Sequence, residues 1–415
     1  MRDRIIFLVS SLTGVNTGIG GHYRSVKEIS ELLSSDLDVH IITWGDVPSP
    51  VLQDSENYTH LHTISPLSPT GISRLRAELG RHQIATDPGQ RLKIVTVGWM
   101  FSCISAFLGG RNIHAQHAHL KPGGDAARKP GLLNGISVAV FHLKDFDAYK
   151  LLEPKRFIAL APGRVTPPQL DEHYIASATV PFKSTARINI VTIMRIASDK
   201  RRPTLMIYNA LKALQQSAIT ERITFTHLGT PQDQQLVGEI EALEMPFPSA
   251  IVIDSTSTKS GPKYLHTQDA FVGIGRGVME AMSLGMPTFI PVIHPTDGPI
   301  LCAVTDSNWR AFFRENFTHR TLYSNLIEAG DARRIEECIE DTEIWRTLGK
   351  DSLRIYEANL SPQASLTTWR TFLQKHHPDA KEAGGFRRLS ELVFLEVKRL
   401  TRKAFNGIRA RSLKE

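Results

Sequence analysis

The stretch of sequence that decides the fold is DAFVGIGRGVMEAMSLGMP, residues 269–287. An apolar run ends in a loop with glycines at 273, 275 and 277, and a helical pattern then runs to Gly285 and Pro287. A glycine at the end of a helix with a proline just beyond it is a typical stop signal. The stretch therefore predicts a buried strand, a glycine-rich turn and a short helix, which is the repeating unit of parallel α/β sheets.

The turn and the start of the helix favour an anionic ligand. Gly275 and Gly277 let backbone N–H groups approach a phosphate closely, Arg276 lies between them, and a helix N-terminus attracts anions. Glu280 follows one turn into the helix, where a carboxylate can accept both hydroxyls of a ribose. On spacing alone, an ordinary strand–helix turn with a solvated Glu280 is the stronger interpretation, because short glycine motifs often recur by chance.

A second cationic segment lies upstream of this stretch. Residues 188–194 have the pattern of an apolar strand, Arg195 ends it, and Lys200 follows five residues later in a charged turn. Two cations at the carboxyl ends of parallel strands suit a diphosphate leaving group. A solvated charged turn is the alternative for Lys200, but it explains Arg195 less well, because that residue terminates an apolar strand.

The rest of the chain shows the same alternation of strands and helices. Apolar runs and helical patterns alternate up to residue 160 and again from residue 188, and a stretch rich in Pro, Thr and Ala at 164–183 separates the two series. A chain of 415 residues is too long for one ordinary core. We therefore expect an α/β protein with two Rossmann-like domains, at 1–180 and 186–360.

Composition excludes several classes of protein. The net charge is +7, but residues 381–415 contain ten Lys or Arg against four Glu, so the body of the chain is nearly neutral and no nucleic acid is expected as a partner. The three scattered cysteines have neither disulfide nor metal spacing, which favours a reducing cytoplasm. The apolar run Ile5–Val9 is too short for a signal peptide, and no run of eighteen apolar residues predicts a membrane span.

The basic segment at the end has its own pattern. Apolar residues recur at three- and four-residue steps through 386–411, with Lys and Arg on much of the opposite side. This predicts a basic amphipathic helix, which either lies on an anionic membrane surface or packs on the protein with its charges solvated. The two interpretations have equal support from the sequence.

The first half contains a glycine-rich turn with Gly20 after the first strand, and His119 follows the strand predicted at 112–117. A zinc site is not expected, because only His117 and His119 share a strand face and no Cys or carboxylate completes a ligand set. The Asp145-Phe-Asp147 triplet imitates a metal-binding motif, but its position predicts a helix cap. We expect neither an essential metal nor a cofactor.

Residues 280–287, EAMSLGMP, resemble the nucleotide-sugar signature of the retaining glycosyltransferases called family four. These enzymes have the GT-B fold, in which two Rossmann-like domains face each other across a cleft. The resemblance implies that Glu280 binds the ribose of the donor and that Arg195 and Lys200, which match the family's Gly-Arg and Lys-Gly segment, bind its diphosphate. It also implies that Gly20 belongs to the loop that lets the donor and acceptor phosphates approach, and that His119, with His117 as the alternative, reaches the donor or acceptor sugar.

One position departs from the family pattern. The family usually has a second glutamate eight residues before Glu280, near the donor sugar, and this chain has Val272 there. In a variant of the loop found in some polysaccharide-biosynthesis transferases, Arg276 would supply the polar contact instead. The resemblance also implies that a helix at 361–378 crosses back to the first domain, which leaves 381–415 as an addition to the fold.

The sequence thus predicts a retaining, metal-independent, hexosyltransferase-like enzyme that uses a nucleotide-diphosphate sugar as co-substrate. Its acceptor would be a glycan or a lipid-linked glycan of cell-surface polysaccharide biosynthesis. It would work in the cytoplasm, and peripherally on the inner face of the membrane if the basic helix at 386–411 binds that surface. Two alternatives stay open: a sugar-nucleotide epimerase of the same fold, and an inactive transferase-like assembly subunit, which Val272 favours. The predicted catalytic residues are His119, Arg195 and Lys200, and the predicted donor-binding residues are Gly20, Arg195, Lys200, Gly275, Arg276, Gly277 and Glu280.

Overall fold

A computed structural model describes residues 3–11, 21–63, 68–84, 93–97, 111–116, 137–140, 147, 158–160, 187–216, 219–252 and 261–375. The chain divides into two compact units, one formed by Met1–Arg164 with Ser365–Glu415 and the other by Val165–Ala364. Each unit has its own sheet and its own hydrophobic core.

The first unit contains a parallel sheet with the strand order β3-β2-β1-β4-β5-β6-β7. Its strands are β1 (Arg4–Ser11), β2 (Asp38–Gly45), β3 (Tyr58–His62), β4 (Lys93–Val97), β5 (Arg111–Gln116), β6 (Ser137–Val140) and β7 (Ile158–Leu160). The central strand β1 is buried almost throughout, as expected for a strand covered on both faces. The sheet order is that of a dinucleotide-fold domain, 3-2-1-4-5-6, with one more strand at the edge.

The second unit repeats this order with strands numbered from β8, as β10-β9-β8-β11-β12-β13. Its strands are β8 (Ile188–Ile193), β9 (Ile223–Leu228), β10 (Ser249–Val252), β11 (Ala270–Val272), β12 (Thr288–His294) and β13 (Gly298–Ala303). All pairs are parallel except β12 with β13, which form an antiparallel hairpin at the edge.

Helices connect and cover both sheets. Those of the first unit are α1 (Gly21–Leu33) and α2 (Pro69–Ile84). The second unit has α3 (Arg201–Ala213), α4 (Gln234–Glu241), α5 (Arg276–Met282), α6 (Trp309–Arg314), α7 (Tyr323–Glu328), α8 (Ile335–Glu340) and α9 (Thr342–Ile355). The helix α10 (Pro362–Lys375) packs on the first unit, where Trp369 lies edge-on against Phe7 in the core.

The prediction of two Rossmann-like α/β domains is confirmed. The end of the deciding stretch folds as its residues require, because Gly285 takes a φ of +67° just after α5, a conformation that glycine adopts without strain. Two strands escaped prediction. The half-exposed β3 contains two histidines and has weak apolar character, and β13 begins at Gly298 of an Asp297-Gly298 pair, which is a recognised hairpin signal.

Candidate functional site

The carboxyl ends of β8 and β11 carry the predicted site of the second unit. These neighbouring parallel strands lie where the order of the sheet reverses, since β8 leads through α3 to β9 on one side while β11 lies on the other. In open α/β sheets, ligands bind outside the carboxyl ends of the strands at such a reversal. Arg195 follows β8 and the glycine loop 273–277 follows β11, so the topology brings two of the predicted segments to one place.

The backbone that leads to Arg195 is held by a buried histidine that the sequence analysis did not consider. The Nε2 atom of His227 lies 2.9 Å from the carbonyl oxygen of Met194, and its Nδ1 atom lies 3.1 Å from the hydroxyl of Tyr208. Burial lowers the pKa of His227 to about 4. The neutral ring therefore donates from Nε2 to Met194 and accepts from Tyr208, which fixes the end of β8.

Arg195 and Lys200 share one acidic neighbour. The Arg195 guanidinium donates to the Gln232 side chain at 2.8 Å and to Asp199 at 3.2 Å, and about half of its side chain stays exposed. The Lys200 ammonium lies 3.8 Å from the same Asp199 carboxylate. Burial is the largest cause that lowers the pKa of Lys200, and nearby Arg195 adds to it while Asp199 opposes it. One carboxylate thus faces two cations, which leaves positive charge for an anionic ligand.

Close packing against Phe271 requires glycine at two positions of the glycine loop. A Cβ atom on Gly273 would lie 2.6 Å from the ring of Phe271, and one on Gly277 would lie 2.7 Å from it. Gly275 has open space around its Cα but a φ of +65°, which other residues rarely adopt. Its N–H donates to the carbonyl of Phe317 at 2.7 Å, so the contribution of Gly275 is its backbone conformation rather than a free N–H.

Glu280 is not the solvated helix residue of the alternative interpretation. It is only 6% exposed, and its carboxylate accepts a hydrogen bond of 2.8 Å from Nε of Arg276, one helical turn earlier. The (i, i+4) spacing of the pair was visible in the sequence, although separate roles were predicted for the two side chains. Val272, at the position of the family's other glutamate, is fully buried in the core of the unit.

Further basic residues act on the same region as Lys200, and no sequence motif marks them. The charges of Arg202, Arg320 and Lys200 all act on the side chain of His319, and together with burial, the largest cause, they lower its pKa to about 4. His319 and Arg320 lie in the segment 315–321, whose Phe317 carbonyl binds Gly275. The segment 315–321 therefore contacts the glycine loop through Phe317 and also lies near Lys200, which follows β8.

Comparison with known proteins finds relatives only at the level of three-dimensional structure. No family model and no curated protein sequence matches the chain. Among solved structures, sucrose-phosphate synthase from Thermosynechococcus elongatus superposes with a TM-score of 0.58 at 14% identity, over 90% of this chain and 99% of that one. Anabaena HepE, solved in complex with UDP and glucose, gives 0.58 at 13% identity, over 90% and 100%. The chain has the GT-B fold.

A third structure extends the comparison within this fold. The lipopolysaccharide outer core galactosyltransferase WaaB superposes with a TM-score of 0.54 at 11% identity, over 89% of this chain and 99% of that one. The chain therefore spans nearly the whole length of these GT-B proteins. At such identities the likeness establishes the fold and leaves the reaction to be argued from the residues.

Several predicted features lie outside the described residues, namely Gly20, His119 and the basic segment 381–415. Among the residues that the structure does describe, no three His, Cys, Asp or Glu side chains come together as a set that could hold a metal ion. In the same part of the chain, no helix has both the length and the apolar composition that crossing a membrane requires.

Proposed function

We propose that the chain is a glycosyltransferase that moves a sugar from a nucleotide-diphosphate sugar to a glycan or lipid-linked acceptor, with retention of configuration. One observation carries the proposal: Arg195 and Lys200 follow β8 while the glycine loop and the buried Glu280 follow its neighbour β11, at the reversal of the sheet. The GT-B fold is consistent with it, and the UDP in the HepE structure is the kind of ligand that it requires.

In this proposal each described residue has one task toward the donor. Arg195 and Lys200 bind the diphosphate and stabilise the charge that grows on it as the bond to the anomeric carbon breaks. Glu280 accepts the ribose hydroxyls, Arg276 holds the Glu280 carboxylate and gives the loop its polar contact, and the loop through Gly275 and Gly277 lets the chain pass close to the phosphates.

No side chain acts as a covalent nucleophile in this scheme. The acceptor hydroxyl attacks the anomeric carbon from the face that the diphosphate leaves, and its proton passes to an oxygen of the departing diphosphate. The bond between sugar and phosphate breaks as the bond to the acceptor forms. Negative charge increases at the diphosphate during this step, which is where the cations act. No metal ion takes part.

The acceptor side of the proposal rests on the first unit and on the tail. His119 and Gly20 would contact the reacting sugars, and residues 386–411 would hold the enzyme on an anionic membrane surface. A lipid-linked acceptor of cell-surface polysaccharide biosynthesis would then be within reach. WaaB, with the same fold, is a lipopolysaccharide galactosyltransferase by name, which supports an acceptor of the cell envelope.

The test begins with a thermal-shift screen of nucleotide sugars and continues with an assay of nucleoside-diphosphate release in the presence of candidate acceptors. A transferase releases nucleoside diphosphate only when an acceptor is added. Conversion of the sugar without an acceptor would instead favour an epimerase, and binding without release across a broad set of acceptors would favour an inactive subunit. Glu280→Ala and Arg195→Ala should both bind the nucleotide more weakly than wild type, by about tenfold or more. Wild-type affinity in both variants would refute the site assignment.

A further inference from the structure

The segment 315–321 is a fixed part of the site region. Asn316 and Phe317 both have positive φ, at 57° and 50°, which is an unusual conformation for residues with side chains. The fully buried Phe317 holds the segment in place, since its N–H donates to Phe312 at 2.7 Å and its carbonyl accepts from Gly275 at 2.7 Å. Thr318 also donates to the carbonyl of Glu315 at 2.7 Å. These hydrogen bonds fix the backbone that positions the next two residues, His319 and Arg320.

Basic side chains near this segment outnumber the acidic partners that the described residues provide for them. Arg201 pairs with Glu239, and Arg195 uses Asp199 and Gln232. In contrast, neither Arg202 nor Arg320 has a carboxylate within 4 Å among the residues that the structure describes, and Arg320 donates only to the Thr318 hydroxyl, at 3.2 Å. Together with Lys200 they form a group of cations that a bound anion would stabilise.

His319 is the unusual member of this group. Its Nδ1 atom is buried and has no hydrogen-bond partner. An unpaired buried ring nitrogen is unfavourable, and a histidine on which three cations act contributes no attraction in return. No described contact of the His319 ring stabilises the fold through its Nδ1 atom. A ligand with negative charge and acceptor oxygens would pair with the ring and offset the three cations.

The geometry points to His319 and Arg320 as additional phosphate-binding residues, which bind the diphosphate of the nucleotide together with Lys200 and Arg202. This inference rests on the proposed function and extends its donor site by a segment that no sequence motif marks. When the anion binds, its charge offsets that of the three cations, and His319 takes a proton from solvent so that both ring nitrogens can donate.

This assignment has a consequence that a structural histidine would not have. Burial and the charges of Lys200, Arg202 and Arg320 keep the pKa of His319 at about 4 in the free protein, so the ring is neutral near pH 7. A diphosphate raises that pKa, and binding is accompanied by proton uptake. The affinity for the diphosphate therefore increases as pH falls from 8 toward 6. The nucleotide's own terminal phosphate titrates in the same range, so the effect must be measured as a difference between variants.

Isothermal titration of the full chain tests the inference. The probes are the nucleoside diphosphate selected by the screen, the matching nucleoside and inorganic pyrophosphate, each measured in two buffers with different ionisation enthalpies. His319→Gln should lose the proton uptake and weaken diphosphate binding about tenfold, and Arg320→Gln should weaken it by a similar factor. Binding of the nucleoside should not change in either variant. Arg320→Lys, which keeps the charge, should recover part of the affinity.

Arg222→Gln is the matched control, because it removes a cation that lies before β9, at the opposite edge of the sheet. If the His319 and Arg320 variants, folded by circular dichroism, bind the diphosphate as wild type does while Lys200→Gln loses affinity, the inference fails and the proposed function stands. If wild-type protein binds neither the nucleotide nor pyrophosphate, both fail together.

Discussion

The two sheets of this protein share one strand order around their first strand, and among the described residues the ion pairs next to strand β1 and those next to strand β8 lie at different ends of the strands. In the first unit two described ion pairs join the amino ends of neighbouring strands, where Arg4 binds Asp38 at 2.6 Å and Lys93 binds Asp3 at 3.3 Å. In the second unit Arg195 and Lys200 lie beyond the carboxyl end of β8. Topology creates a crevice at the carboxyl edge of both sheets, and the residues placed there determine whether an anion binds.

The difference also separates charge used for folding from charge kept for a ligand. At the amino edge of the first sheet, Arg4 and Lys93 each have a carboxylate of their own. At the carboxyl edge of the second sheet, Asp199 serves two cations and Arg202 has no acidic partner among the described residues. We expect removal of charge to change stability modestly in the first case and ligand affinity in the second.

The largest expected effect is on nucleotide affinity. Arg195→Gln and Lys200→Gln should each weaken binding of the nucleoside diphosphate about tenfold, and the double variant should weaken it about a hundredfold, because each cation makes a charge-assisted contact. Titration calorimetry measures this directly. Lys93→Gln, which removes a cation from the first sheet, is the control and should bind like wild type. Equal losses in all variants would contradict the contrast between the two edges.

The next effect concerns the glycine loop. Gly277→Ala should lower the free energy of unfolding by about 1–3 kcal/mol, because the new Cβ would meet the fully buried ring of Phe271 at 2.7 Å. Gly238→Ala, within α4, has no atom within 4 Å of its Cβ and should stabilise the protein by about 0.4–1 kcal/mol. Denaturant unfolding distinguishes the two. An unchanged free energy of unfolding in Gly277→Ala would contradict the close packing of Gly277 against Phe271.

A smaller effect should separate the ribose from the phosphates. Glu280→Gln should weaken binding of nucleoside and nucleoside diphosphate alike by about tenfold, because both ligands contain the ribose whose hydroxyls the carboxylate accepts. Glu328→Gln, on the exposed side of α7, is the control. A lower melting temperature with unchanged nucleoside affinity would show that Glu280 serves only as the partner of Arg276.

The smallest effect is on acid stability. His227 has a folded pKa of about 4 against an ordinary value of 6.5, so below pH 6.5 the unfolded chain binds a proton that the native ring does not. The free energy of unfolding should therefore fall as pH falls, by about 1 kcal/mol between pH 7 and 5.5 from this residue. His227→Gln should reduce the slope. Part of it should remain, because burial also lowers the pKa of His319 in the second unit and of His40 and His82 in the first. If His227→Gln leaves the dependence of the unfolding free energy on pH unchanged, His227 is not the buried neutral histidine described above.

Local sequence pattern predicted many strands and helices of the second unit but few of the contacts between segments that are far apart in sequence. The stretch from Asp269 to Pro287 specifies its own strand, turn and helix, because each step depends on near neighbours. The contact between Gly275 and Phe317 joins segments far apart in sequence, and so does the placement of Arg320 and His319 beside Lys200. No periodicity records such pairings. The ion pair of Arg276 and Glu280 is local, because the two residues lie one helical turn apart, and their (i, i+4) spacing predicts it.

The most direct test of the central claim is a crystal structure of the chain with the nucleoside diphosphate selected by the binding screen. The account predicts phosphate oxygens within about 3 Å of the Lys200 ammonium and the Arg195 guanidinium, beside the loop 273–277 at the carboxyl edge of the second sheet. A nucleotide bound at the first sheet, or one whose phosphates lie beyond the reach of both cations, would contradict it.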